Sequence, residues 1–84
     1  MVSVKWSDDA LKDLEKIDQI IVTRILEKVL WLEENFTRLV PEKLHRDLRG
    51  LYKLRVGDYR ITYSLGRDTI TIQAAGHRRD IYRK

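Results

Sequence analysis

The sequence predicts an α+β fold: an N-terminal strand, an antiparallel helical hairpin, then a three-strand antiparallel meander forming one sheet packed on the helices. Three observations predict it. Apolar residues alternate with period two at the N-terminus, recur at helical spacing from Ala10 to Leu32, and return to period two from Tyr52 onward, with glycine-containing turns between the later runs. At 84 residues and 10.0 kDa, the chain has room for one domain, 1–84, and none for a separate cofactor domain.

Each element has its own local warrant. Val2, Val4 and Trp6 alternate with Ser3 and Lys5, a strand too short to stand alone, so a later strand must pair with it. Ser7 offers a hydroxyl as an N-cap, Asp8 and Asp9 put negative charge in the first turn, and a short helix runs from Asp8 to about Lys16. Asp18 caps a second, longer helix, whose Ile21, Val22, Ile25, Leu26, Val29 and Leu32 share one side, while Ile20 and Trp31 fall on the other. Trp31 has two readings, a small second cluster with Phe36 or an anchor for a partner protein. Asn35 ends this pattern, and Phe36 to Gly50, with the single proline Pro41, reads as an irregular connection. Tyr52, Leu54 and Val56 then alternate with Lys53 and Arg55, Gly57-Asp58 marks a tight hairpin turn, and Tyr59, Ile61, Tyr63 and Leu65 return against Arg60, Thr62 and Ser64. Gly66-Arg67-Asp68 turns again into Ile70, Ile72 and Ala74, alternating with Thr69, Thr71, Gln73 and Ala75.

Charge narrows the function classes. Through Glu42 there are six Lys or Arg against nine Asp or Glu; from Lys43 onward there are eleven against four, and the whole chain carries +4. A basic second half points to an anionic partner, with nucleic acid ahead of a membrane surface because clustered Lys and Arg release counterions from phosphate. The absence of cysteine removes disulfides, thiolate metal sites and cysteine nucleophiles, and fits a reducing compartment. The N-terminus has no charged start leading into a long apolar run, and the longest apolar run anywhere is Val29 to Leu32, so a soluble cytoplasmic protein with no membrane contact is expected.

Alternation also distributes chemistry. With the apolar sides of the meander on the helices, Lys53, Arg55, Arg60, Thr62, Ser64, Thr71 and Gln73 share the other face, and the C-terminal run Gly76-His77-Arg78-Arg79-Asp80-Ile81-Tyr82 can fold back over it. Tyr52, Tyr59 and Tyr63 point to the core. Such a face suits cleavage of RNA by its own 2'-hydroxyl, which needs a base, charge stabilisation at the phosphoryl oxygens and a proton for the departing 5'-oxygen, and needs no metal. Paired carboxylates beside a histidine, a glycine-rich phosphate loop and a third ligand for His45 and His77 are all missing, so metal-dependent hydrolysis and nucleotide-triphosphate chemistry are poorly supported and no cofactor is expected. Arg60, central in its strand, is the candidate clamp on a nonbridging oxygen. Lys53, flanked by Arg55 and Arg60, is a candidate base because neighbouring positive charge favours a neutral amine. Tyr82 can stack on a nucleobase or hold the 2'-hydroxyl, and His77 or Arg78 can protonate the leaving group. Individually, each exposed cation is more simply a solvated strand residue; it is their convergence that carries the reading.

Leu48-Arg49-Gly50, the run from Tyr52 through Gly57-Asp58-Tyr59-Arg60 to Tyr63, and Gly76-His77-Arg78-Arg79-Asp80-Ile81-Tyr82 closely resemble the RelE toxins of the RelE/ParE superfamily, over essentially the whole chain. The resemblance implies the toxin of a toxin-antitoxin pair, held by a cognate RelB-like antitoxin. It further implies a metal-independent mRNA endonuclease acting in the ribosomal A site and leaving a 2',3'-cyclic phosphate. Arg60 would match the transition-state arginine, Tyr82 the C-terminal tyrosine that orients the substrate, Arg78 or Arg79 the arginine before it, and Lys53 one lysine of a Lys-x-Lys pair, with Leu51 standing where the other is expected. Lys43, Arg46, Arg49, Arg55, Arg79 and Arg83 would contact RNA. ParE-like toxins share the fold and poison DNA gyrase, which is the alternative activity; a nonenzymatic RNA- or ribosome-binding module is the third.

Overall fold

The computed structural model describes residues 2–36, 50–77 and 79. Its elements follow the order β1 (Ser3–Trp6), α1 (Asp8–Glu15), α2 (Gln19–Asn35), β2 (Tyr52–Val56), β3 (Tyr59–Leu65) and β4 (Thr69–His77). The four strands form one sheet in the order β1-β4-β3-β2. β2, β3 and β4 are the antiparallel meander, and β1 joins β4 in parallel, with Val4 opposite Ile70 and Trp6 opposite Ile72. The N-terminal strand thus finds its partner at the far end of the chain.

Both helix starts form as their capping residues dictate. Ser7 Oγ accepts from the Ala10 N–H at 3.1 Å, and Asp18 Oδ2 accepts from the Ile20 N–H at 3.1 Å, each satisfying a first-turn donor that has no partner inside the helix. α1 packs on β4, while α2 reaches both β1 and β2 at opposite edges of the sheet. Between helices and sheet lie Ala10, Ile25, Val29, Leu32, Ile61, Tyr63, Ile70, Ile72 and Ala75. A large apolar side chain buried this way contributes about 1.5–3 kcal/mol, so this cluster dominates what holds the fold. Tyr52 stacks on Tyr63 at 5.5 Å between ring centroids, on the core side as its alternation predicts.

Three expectations about burial need correction. Leu26 is 46% exposed, because the buried stripe of α2 is centred on Val22, Ile25, Val29 and Leu32 and Leu26 lies at its margin. Trp31 forms no separate cluster with Phe36: Phe36 packs against the main core, and Trp31 stands 42% exposed with Lys28 Nζ 4.3 Å from its ring centroid. The third correction concerns β4. Ile72 pairs with Tyr63 and Ala74 with Thr62, so Gln73 is an extra residue, a β-bulge. Beyond it the alternation inverts: Ala75 enters the core, where Ala74 was expected.

Side chains from β1's end and α1 hold the bulge. The Ser7 N–H donates to Ile72 O at 2.9 Å, Ser7 Oγ donates to Gln73 O at 3.2 Å, and Asp13 Oδ2 accepts from the Ala75 N–H at 3.0 Å. β1 has run out here, so these contacts replace a missing strand along the edge of β4. On the outer edge of β1 itself, Glu33 Oε2 accepts from the Val4 N–H at 3.1 Å.

Gly57 and Asp58 make the two-residue turn between β2 and β3. Gly57 has φ +60° and Asp58, like every other described non-glycine residue, has none in the positive region, the pattern of a type II′ turn with glycine first. An L side chain in that conformation costs about 1–2 kcal/mol.

Candidate nucleic-acid interface

Strand register sets out the face away from the helices in rows. Arg55, Arg60 and Gly76 stand side by side on β2, β3 and β4; Lys53, Thr62 and Ala74 form the next row; Ser64 and Thr71 the next, with Lys5 of β1 beside Thr71. Arg55 is directly opposite Arg60, and Lys53 lies diagonally from it, within reach of long side chains. None of the four strands contains an Asp or a Glu, so no strand residue offsets this positive charge. Gln73 Nε2 donates to Ser64 Oγ at 2.9 Å, fixing two polar side chains on the same surface.

Exposure varies sharply across the face. Lys53 and Arg55 are exposed, whereas Arg60 is only 9% exposed and Thr62 is buried. The uniformly open face expected from alternation is therefore closed at its centre. Arg60 has no carboxylate partner among the described residues. Its Nη1 donates instead to the carbonyls of Gly57 and Tyr59, each at 3.0 Å, so the side chain folds back along its own strand toward the turn. Carbonyl acceptors satisfy donors without cancelling the charge, which leaves a localised cation at the end of a rigid sheet.

The structure separates His77 from these residues. His77 pairs with Tyr59, and their rings meet edge to face at 5.5 Å on the helix side of the sheet. The Gln73 bulge is the reason: without it, His77 would share a face with Thr71 and Gln73. His77 Nδ1 accepts from the N–H of Arg79, itself exposed, at 3.3 Å. Arg78 and Tyr82, with Lys43, Arg46, Arg49 and Arg83, lie outside the described residues. Lys5 is a cation of this face that sequence reasoning passed over; its alternation with Val4 and Trp6 was visible, but only the parallel pairing with β4 puts it beside Thr71. Among the described residues no group of three or more His, Cys, Asp or Glu comes together to hold a metal ion, and no helix is long and apolar enough to cross a membrane.

Residues 4–82 match the sequence model of the ParE toxin of the type II toxin-antitoxin system parDE. The chain belongs to the RelE/ParE family of type II toxins. Toxin RelG of Mycobacterium tuberculosis is 30% identical over 84 residues, spanning 98% of this chain and 97% of the relative. In the crystal structure of the RelBE2 toxin-antitoxin complex of Mycobacterium tuberculosis, a chain 28% identical superposes with a TM-score of 0.73, covering 90% of this toxin and 96% of that chain. The RelB-RelE antitoxin-toxin complex of Methanococcus jannaschii gives 25% identity and a TM-score of 0.69, over 94% of this toxin and 95% of that chain. The strand, helical hairpin and meander of this toxin are the RelE architecture.

Proposed function

We propose that this toxin is a ribosome-dependent, metal-independent endonuclease that cuts mRNA and so arrests translation. The observation that carries the reading is the in-register cluster of Lys53, Arg55 and Arg60 on a sheet whose strands hold no acidic residue. In this mechanism a base, for which Lys53 is the candidate, takes the proton of the 2'-hydroxyl, and the 2'-oxygen attacks the adjacent phosphorus in line. Arg60 stabilises the charge that builds on the nonbridging oxygens. The bond to the 5'-oxygen breaks as that oxygen gains a proton, leaving a 2',3'-cyclic phosphate and a 5'-hydroxyl. Tyr82 orients the substrate and Arg78 assists the leaving oxygen. His77, on the helix side of the sheet, is given no part in the proton transfer. A sheet face contacts a flexible RNA from one side and cannot by itself hold it in line, which is the physical reason for the ribosome.

The toxin's activity is held in check by a cognate RelB-like antitoxin, a reading supported by the RelB-RelE complexes among its structural relatives. Charge complementarity predicts that the antitoxin segment covering the basic half is acidic or apolar. The test is cleavage of mRNA on programmed ribosomes by the purified chain, with Arg60→Ala and Tyr82→Phe as variants. Each variant should lose about 100-fold or more in single-turnover rate; variants that cut like the wild type would reject this site.

The match to the ParE toxin family model favours a second reading, a gyrase poison. Inducing the chain alone in bacteria separates the two. Translation stopping first, with mRNA cut, supports the nuclease; gyrase-linked DNA breaks with intact mRNA support the alternative.

A further inference from the structure

We propose that Gly57 is a positioning residue: its left-handed backbone aims the turn carbonyl that, with Tyr59 O, holds the Arg60 guanidinium at the place where RNA phosphate is stabilised. The inference rests on the nuclease reading of Arg60 and adds a residue that touches no substrate.

Four observations converge on it. Arg60 is nearly buried, yet no carboxylate among the described residues fixes it. Both hydrogen bonds that do fix it come from Nη1, one ending on the turn at Gly57 O and one on the first residue of β3 at Tyr59 O, 3.0 Å each. In a two-residue hairpin the carbonyl of the first turn residue lies outside the ladder, so Gly57 O is an acceptor in need of a donor, and Arg60 supplies it. That carbonyl takes its direction from the two-residue turn as a whole, which needs the Gly57 φ of +60°, a conformation a β-branched residue rarely adopts.

The geometry has a chemical consequence. The turn carbonyl and Tyr59 O engage Nη1; the three N–H donors of Nη2 and Nε form the edge suited to a two-pronged grip on a phosphoryl group. A long arginine side chain otherwise samples many rotamers, and a clamp held before substrate arrives needs no reorganisation during the reaction. A carboxylate holding Arg60 would weaken it as an anion clamp; neutral carbonyls do not. Steric filling is not the issue at this glycine, since a Cβ added there meets nothing within 4 Å. Only the backbone conformation changes on substitution.

The experiment compares Gly57→Val and Gly57→Asn with the wild type in mRNA cleavage on programmed ribosomes, and repeats Gly57→Val in an Arg60→Ala background. Asparagine tolerates positive φ and should cleave close to the wild-type rate, whereas Gly57→Val should lose about 10- to 100-fold in kcat with little change in KM. If Gly57 acts through Arg60, adding Gly57→Val to Arg60→Ala costs no further activity. A further loss there, or a Gly57→Val protein that cleaves normally, overturns the proposal. A second readout needs no catalysis: the Arg60 side-chain nitrogens should give restrained, resolved NMR signals in the wild-type chain and averaged ones in Gly57→Val. Averaged signals in the wild type also overturn it. A wild-type chain that cuts no RNA sinks the nuclease reading instead, and the NMR comparison then still decides whether the turn holds Arg60.

Discussion

Burial raises the Tyr63 phenol above its ordinary value of 10.0, and the neighbouring Tyr52 adds to the effect. The folded chain therefore holds that proton more tightly than the unfolded chain. Below the unfolded value both states are protonated and the contribution is fully present; as pH rises through the folded value it is lost. Urea stability should fall as pH rises above about 10, and Tyr63→Phe should fall less steeply there; identical slopes would show that Tyr63 does not control alkaline unfolding. That Tyr63 faces the core was legible from its alternation with Thr62 and Ser64. Arg60 shows the limit of the same logic. Period two assigns its face correctly, but its burial and its two carbonyl partners depend on how a long, flexible side chain folds back over a turn, which no pattern of neighbours encodes.

At the scale of elements, helix caps and strand faces are local properties, and Ser7, Asp18 and the β2–β3 hairpin behave as their residues dictate. The bulge in β4 is different. Gln73 is an ordinary strand residue with no mark of irregularity, and its accommodation depends on Asp13 accepting from Ala75 N–H across 62 positions of sequence. Asp13→Ala leaves that part-buried N–H without its acceptor and should cost about 1–3 kcal/mol in urea unfolding, while Asp13→Asn, which keeps a carbonyl oxygen there, should recover most of the loss. An Asp13→Ala chain as stable as the wild type would mean that solvent serves the bulge equally well. The consequence for the candidate site is direct: the bulge is what sends His77 to the helix side, so a residue that sequence reasoning grouped with Lys53 and Arg60 stands across the sheet from them.

For the whole molecule, the sheet sorts charge into a cationic face and an apolar one, and the proposed nuclease activity requires the cationic face to attract RNA. Lys5 tests whether the face works as a unit, because it reaches the surface only through the parallel pairing of β1 with β4. Replacing it with alanine should weaken RNA association uniformly across sequences and lower the slope of log affinity against log salt by about one. Lys12→Ala, on α1, should leave the slope unchanged, and fluorescence anisotropy at several salt concentrations reads both. Equal slopes for wild type and Lys5→Ala would confine RNA to the β2 side of the sheet. Helix and strand identity, the caps, the first turn of the meander and the basic character of one face were determined by the sequence itself, since each depends on residues within a few positions of one another. The parallel partner of β1, the inverted end of β4 and the closed centre around Arg60 were decided only by the tertiary structure, because each depends on groups distant along the chain, or on a side-chain path, that exist only once the sheet and helices have packed.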